Sequence, residues 1–364
     1  MPTDRRLPSI DILRTLAIVS MVQIHFIGYL SGYRPWPRWL PYALCGVPGV
    51  LAAPLFSFLL GVSLVISLER QRSRGRTERA IAARTLKRAA LIFFGGFLYQ
   101  FAIWGRESIF DWDILTLLGA SLALLFLLRR TSPIPLWSLV LLVIVVSPWL
   151  RRWSDYAADW VYYLGRMEYE PDRTLTAAVT GFFVNGYFPI FPWLAFPLTG
   201  FALGKWLMRG GRSRDVLIAG LLLILLGFAG WKLSHHFPWD SPWRGYFSWF
   251  SFYPLSTTEL LASLGFVLAA FALLRLTVDR RASWPLSPLF LRYSSTSLAI
   301  YVFHHVVHVW PLRLAGEIAY GDQWYYYGDV VAPEWALLLA GLCLVACYPT
   351  MGIWIRLRQT LKRR

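Results

Sequence analysis

The segment Ser297-Leu-Ala-Ile-Tyr301-Val-Phe-His304-His305-Val-Val-His308 brings imidazole back at helical spacing. Spacings of three, four and seven put Ser297, Tyr301, His304 and His308 on one helical face. His305 points about 100° away from that face and reads as a structural or interfacial residue. Imidazole can accept and return a proton or carry an acyl group, so the cluster suits general acid–base or nucleophilic catalysis. His304 and His308 at i, i+4 also have zinc-ligand spacing. No Glu follows the first His as the metalloprotease pattern requires, and no metal is expected.

A second ionisable series lies near the N-terminus. Asp11 and Arg14 are three residues apart on one helical face, and His25 follows Arg14 by eleven residues, close to three full turns. On a helix the three form one stripe, with His25 about 16 Å further along the axis than Arg14. One reading is an Asp11–Arg14 ion pair that fixes the helix, with His25 packed beside it. The other gives Asp11 and Arg14 to substrate and His25 to proton transfer.

Further polar groups belong to other segments. Asp113 stands in Asp111-Trp-Asp113, and Glu259 lies about one turn into a later apolar run. Each reads either as an interfacial helix-end charge or as a carboxylate that orients a histidine. Asn185 opens Asn185-Gly-Tyr-Phe-Pro-Ile-Phe-Pro192-Trp, whose two prolines should distort a helix and open a cavity. Arg84, Lys87, Arg88 and Arg292 suit either lipid headgroups or the phosphates of a ligand. There is no Walker loop, dinucleotide fingerprint or nucleophile elbow.

The elements that must position these groups follow from composition. Of 364 residues 57% are hydrophobic and only 15% charged, too few to cover a water-soluble globule, which usually has roughly 25%. Runs long enough to cross a bilayer occur at 9–30, 46–68, 82–103, 111–128, 134–150, 183–206, 216–233, 254–276, 288–311 and 333–355. The expected fold is therefore all-α, a polytopic bundle of about ten transmembrane helices forming a single domain over 1–364. The N-terminal run contains Asp11 and Arg14 and shows no small-residue cleavage site, so it is expected as a retained helix. Trp36, Trp39, Trp160 to Tyr163 and Trp324 to Tyr327 cluster at span ends as interfacial belts. The stretch 151–182 is the longest outside loop and is expected to form a small cap.

With the N-terminus placed inside, 25 of the 36 Lys and Arg residues fall in inside segments and 10 in outside loops. That bias predicts cytoplasmic N- and C-termini in a multi-pass protein of the inner membrane. It also explains the net charge of +16 without nucleic acid. The basic run Arg70 to Arg79 then meets anionic headgroups, so membrane lipids are the first partners. Cys45, Cys343 and Cys347 form no disulfide framework.

Four segments together resemble the transmembrane acyltransferase superfamily. They are Ser9-Ile-Asp11-Ile-Leu-Arg14…His25, Phe56-Ser-Phe-Leu-Leu-Gly61, Asp111-Trp-Asp-Ile-Leu-Thr-Leu-Leu-Gly119 with Tyr187-Phe-Pro-Ile-Phe-Pro-Trp…Gly200…Gly204, and Ser297-Leu-Ala-Ile-Tyr301-Val-Phe-His304. The Pro-Trp and Tyr-x-x-His segments resemble the heparan-alpha-glucosaminide N-acetyltransferase-like branch. The Arg followed after ten residues by His is similar to the more distant acyltransferase-3 proteins. Thr15 and Thr116 depart from the pattern, which usually has Gly and often Gln there.

The resemblance implies acetyl-CoA or another acyl-CoA bound from the cytoplasm. The acyl group would pass to a hydroxyl or amine of a glycan or lipid-linked acceptor at the outer side. His25, Asp113, Glu259 and His304 are then the expected catalytic set. Asp11, Arg14, Asn185, Tyr301 and His308 are expected toward substrate, and Arg84, Lys87, Arg88 and Arg292 toward the donor. A homodimer is compatible with this reading. The rival class is a proton-coupled transporter or flippase that uses the same polar stripe as a relay.

Overall fold

The computed structural model describes residues 7–31, 47–163, 166–238, 241–281, 284, 286–326, 328 and 330–363. Arg5, Arg6, Trp36, Trp39, Cys45 and Tyr327 lie outside the described residues. The protein is an all-α membrane protein, and nine helical segments among the described residues are long and apolar enough to span a bilayer.

In chain order the helices are α1 (Pro8–Leu30), α2 (Val47–Ser73), α3 (Glu78–Trp104), α4 (Ile114–Leu127) and α5 (Pro133–Trp153). A two-stranded antiparallel hairpin follows, β1 (Trp160–Tyr163) with β2 (Arg166–Tyr169), Trp160 opposite Tyr169. Then come α6 (Leu175–Thr180), the single turn α7 (Ile190–Trp193), α8 (Ala195–Met208), α9 (Ser213–Leu233), α10 (Thr257–Thr277), α11 (Ser287–Ser295), α12 (Ser297–Tyr320) and α13 (Pro333–Arg363).

Two expected spans come out differently. The run at 288–311 is two helices that break at Thr296, whose hydroxyl donates to the Arg292 carbonyl at 2.8 Å in place of a regular turn. The second of them, α12, reaches Tyr320, carries His304, His305 and His308, and is not among the nine apolar spans. The run at 183–206 is the end of a π-turn at Gly181–Asn185, then α7 and α8, and with α6 before it forms one apolar segment over Leu175–Met208. Phe191 is non-helical at φ −101°, ψ 116°, between the two prolines that the sequence marks as disruptive.

Contacts divide the chain into two compact units, with the boundaries inside α2 at Pro54 and after α10. The first spans Pro54–Thr277, where α3 packs on α4, α5 on α8 and α9 on α10. Ile218, Leu221, Leu222 and Leu225 of α9 are exposed, as lipid-facing positions are. Helix association without a water-driven hydrophobic force favours small residues that let backbones approach. At Gly61 of α2 a Cβ would overlap the Pro197 carbonyl oxygen, and at Gly200 of α8 it would overlap the Phe58 carbonyl oxygen. These two glycines therefore lock α2 against α8.

The stretch 151–182 holds the hairpin and an aromatic cluster. Trp160 stacks on Tyr156 with centroids 5.5 Å apart, and Tyr187 and Tyr253 pack against the same ring. Burial pushes the Tyr156 and Tyr169 phenols above their usual range, so both stay neutral.

The second unit comprises Leu7–Ala53 and Val278–Arg364, and in it α1 contacts α11, α12 and α13. Replacing Gly61 or Gly200 with Ala forces backbone apart at a packed contact, at a cost of at least about 2 kcal/mol. Both variants should lose thermal stability in detergent, whereas Gly95→Ala, where a Cβ meets open space, should not.

Candidate functional site

Helix α1 is held at both ends by groups distant in sequence. The Ser9 N–H and hydroxyl donate to the two oxygens of Asp279 at 2.9 and 2.7 Å, which places a carboxylate at the positive end of the helix. At the other end the backbone N–H groups of Gly328, Val330 and Val331 donate to the Tyr29 and Leu30 carbonyls, which have no intrahelical partners.

Asp11 and Arg14 meet on Ser294 of α11. The Ser294 hydroxyl donates to Asp11 Oδ1 at 2.6 Å and accepts from Arg14 Nη1 at 3.0 Å. Thr15, one of the two departures from the family pattern, donates to the Asp11 carbonyl at 2.8 Å and to the Phe290 carbonyl at 3.2 Å. The first half of the stripe is thus anchored on α11.

The second half faces α12, where the structure brings His25, His304, His305 and His308 together. Ring centroids of His25 lie 5.2, 4.5 and 6.4 Å from those of His304, His305 and His308. The three histidines of α12 are buried, at 0%, 2% and 3% exposure, while His25 is half-buried. Each α12 imidazole turns Nδ1 to a carbonyl one turn back: His304 to Ile300 at 3.0 Å, His305 to Tyr301 at 3.2 Å and His308 to His304 at 2.6 Å. A carbonyl can only accept, so in the neutral rings Nδ1 carries the proton and Nε2 the lone pair.

His304 Nε2 lies 2.9 Å from His25 Nδ1. The lone pair on His304 requires His25 Nδ1 to donate, which makes Nε2 the basic nitrogen of His25. The result is a chain from His25 through His304 to the Ile300 carbonyl, with a base at its half-buried end. Tyr29 stacks on His308 at 5.4 Å, and Tyr301 lies against His304 and His305 at 5.9 and 5.4 Å. His308 Nε2 is buried without a hydrogen-bond partner among the described residues, and it borders a cavity of about 20 Å³ lined also by Tyr29, Arg313 and Gln323.

His305 belongs to this cluster although its helical angle points it away from His304. The four rings fill the groove between two helices, and such a groove takes residues from both sides of the contact line. Ser294, Asp279 and Tyr29 were also beyond sequence reasoning. A serine in Ser-Ser-Thr and an aspartate in a charged loop carry no signal until the chain is folded.

The remaining expected residues are placed as follows. Arg292 belongs to the same unit as the histidines, at the last turn of α11, with its guanidinium 3.9 Å from the centre of the Tyr348 ring. Asp113 and Glu259 belong to the other unit. Asp113 is the N-cap residue of α4, and its carbonyl accepts from the hydroxyl of Thr116, the second departure, at 2.6 Å. Glu259 lies in the first turn of α10, where its N–H donates to the Ser256 hydroxyl at 3.2 Å.

Asn185 is buried, and its side chain serves the fold. Its Oδ1 accepts from the Ser154 hydroxyl at 2.7 Å, and its Nδ2 donates to Asp159 Oδ2 at 2.5 Å, tying the 154–160 segment to the π-turn. Arg84, Lys87 and Arg88 are exposed on α3 with Leu91, Phe94 and Leu98, a surface suited to lipid tails and headgroups.

Two measurements check this geometry. In protein labelled with nitrogen-15 at histidine, the α12 rings should show Nδ1–H and a pyridine-type Nε2. Ser294→Ala removes a donor from a buried carboxylate and should cost about 1–3 kcal/mol in thermal or denaturant unfolding.

A model of the family described as heparan-alpha-glucosaminide N-acetyltransferase, catalytic, matches residues 6–230. The match takes in α1 with Asp11, Arg14 and His25, continues through α2 to α8 and most of α9, and ends before Glu259 and the histidines of α12. A comparison with curated proteins returned no match. With more than half its length matched, and with the His25 stripe inside that part, the chain belongs to the family of the heparan-alpha-glucosaminide N-acetyltransferase catalytic domain.

Proposed function

We propose that this protein transfers an acetyl group from cytoplasmic acetyl-CoA to a hydroxyl or amine of a glycan or lipid-linked acceptor at the outer side of the inner membrane. The observation that carries the reading is the directed chain His25–His304–Ile300, which leaves a basic Nε2 on His25. Family membership supports acetyl transfer, and the Lys and Arg bias supports cytoplasmic termini.

The acceptor gives its proton to His25 Nε2 as its oxygen or nitrogen attacks the thioester carbonyl. The carbon–sulfur bond breaks, and the departing thiolate of CoA takes that proton from His25. While His25 is charged, its Nδ1–H bond to His304 and the Nδ1–H bond of His304 to the Ile300 carbonyl stabilise the imidazolium. Asp11 and Arg14 act on the same helix through Ser294, which holds α1 in the rotation that presents His25. Arg84, Lys87 and Arg88, which lie in the first unit, carry charge complementary to the donor phosphates.

The test is release of CoA from acetyl-CoA by purified protein in the presence of candidate amino sugars and lipid-linked glycans. His25→Ala should lower kcat by about 100- to 10,000-fold, the usual range for a general base. Wild-type turnover in His25→Ala removes His25 from the mechanism. Proton flux into proteoliposomes with no acyl donor, and no CoA release, would replace the enzyme by a transporter.

A further inference from the structure

We infer that His25, His304 and His305 form a binding site for a borderline transition-metal dication of the zinc class. Each offers one ring nitrogen, and the three nitrogens lie within 4.8 Å of one another. Zinc–imidazole bonds of about 2.0–2.1 Å place neighbouring nitrogens about 3.3 Å apart in a tetrahedron. The widest separation must therefore shorten by about 1.5 Å on binding.

The orientation of the rings supplies an independent argument. Metal-bound histidines almost always donate their other N–H to a carbonyl or carboxylate, which fixes the tautomer and aims the lone pair. His304 and His305 both do this through Nδ1, to Ile300 and Tyr301. His308 repeats the pattern, and its buried Nε2 is without a hydrogen-bond partner among the described residues. Its ring is 5.1 Å from His305 and 5.6 Å from His304, near enough to supply a fourth ligand or to border the open position.

The donor set selects the ion. Neutral imidazoles suit zinc, copper, cobalt and nickel, whereas magnesium and calcium require oxygen ligands. On binding, the hydrogen bond between His25 and His304 gives way to two metal–nitrogen bonds. His25 either turns its Nε2 to the metal or moves its proton from Nδ1 to Nε2. All three ligands remain neutral, and no proton leaves. Along α12 alone, His304 and His308 have zinc-ligand spacing but no following Glu. The folded site draws its third ligand from α1.

The inference does not depend on acetyl transfer, although an ion at this site takes the His25 lone pair that such transfer uses. Direct binding tests it without reference to activity. The full chain, carrying a purification tag without histidine, is stripped with a chelator and titrated with Co²⁺. One equivalent should bind with the strong visible absorption of a four-coordinate ion, and Zn²⁺ should displace it. His304→Gln and His305→Gln should each weaken binding by about 100-fold or more, by extension from the loss seen when only an outer-shell partner is removed. His235→Gln, at an exposed histidine outside the cluster, should bind as the wild type does. Zn²⁺ should also raise the Tm of wild type and leave that of His305→Gln unchanged. No saturable Co²⁺ uptake by the wild type, or equal uptake by the two glutamine variants, overturns the site. The acetyl-transfer reading is judged separately, by turnover of His25→Ala.

Discussion

An imidazole inside a membrane protein must find partners within the protein, because a polar group left unpaired in an apolar setting costs several kcal/mol. Four imidazoles between α1 and α12 meet that constraint in a directed way. Three turn their N–H to carbonyls one turn back on α12, and the His25 N–H is received by His304. The direction of every N–H follows from the carbonyls. The basic nitrogen of His25 is therefore a consequence of backbone geometry on the neighbouring helix.

That arrangement requires α1 to be fixed both along its axis and about it. Asp279 at its start and the backbone N–H groups of Gly328, Val330 and Val331 at its end settle the first. Ser294 settles the second by holding Asp11 and Arg14 at once. Asp11 and Arg14 sit about four and three turns from His25 on one face, so the rotation that satisfies Ser294 also turns His25 toward α12. The ionisable stripe is thus one device with an anchoring end and a reactive end.

The other unit shows a different solution to packing in lipid. There the segments that carry the family resemblance are largely contact surfaces. Gly61 and Gly200 allow backbone to meet backbone, and Asn185 saturates its amide against Ser154 and Asp159. Asp111 and Trp112 offer their carbonyls to the N–H groups of Tyr187 and Phe188 at 3.1 and 3.0 Å. A family motif can therefore mark a joint of the fold as readily as a reacting group, and only hydrogen-bond partners tell the two apart.

Much of this was legible in the sequence. Apolar runs of bilayer length determine an all-α membrane protein, since backbone polar groups in lipid must be paired within each helix. Periodicity determines that Asp11, Arg14 and His25 share a face, because an α-helix has the same pitch wherever it lies. The prolines at 189 and 192 determine that the sixth run is broken. Tertiary structure alone decided the partners. Which helix receives His25, and that Ser294 and Asp279 hold α1, depend on residues some 270 or more positions apart. The break at Thr296 was likewise hidden, because a threonine hydroxyl competes with the helix only when the surrounding contacts favour it. His305 shows the difference most clearly: its angle on an isolated helix separates it from His304, while the groove formed by a second helix gathers both. Periodicity is a property of one helix, and a site between helices is a property of their packing.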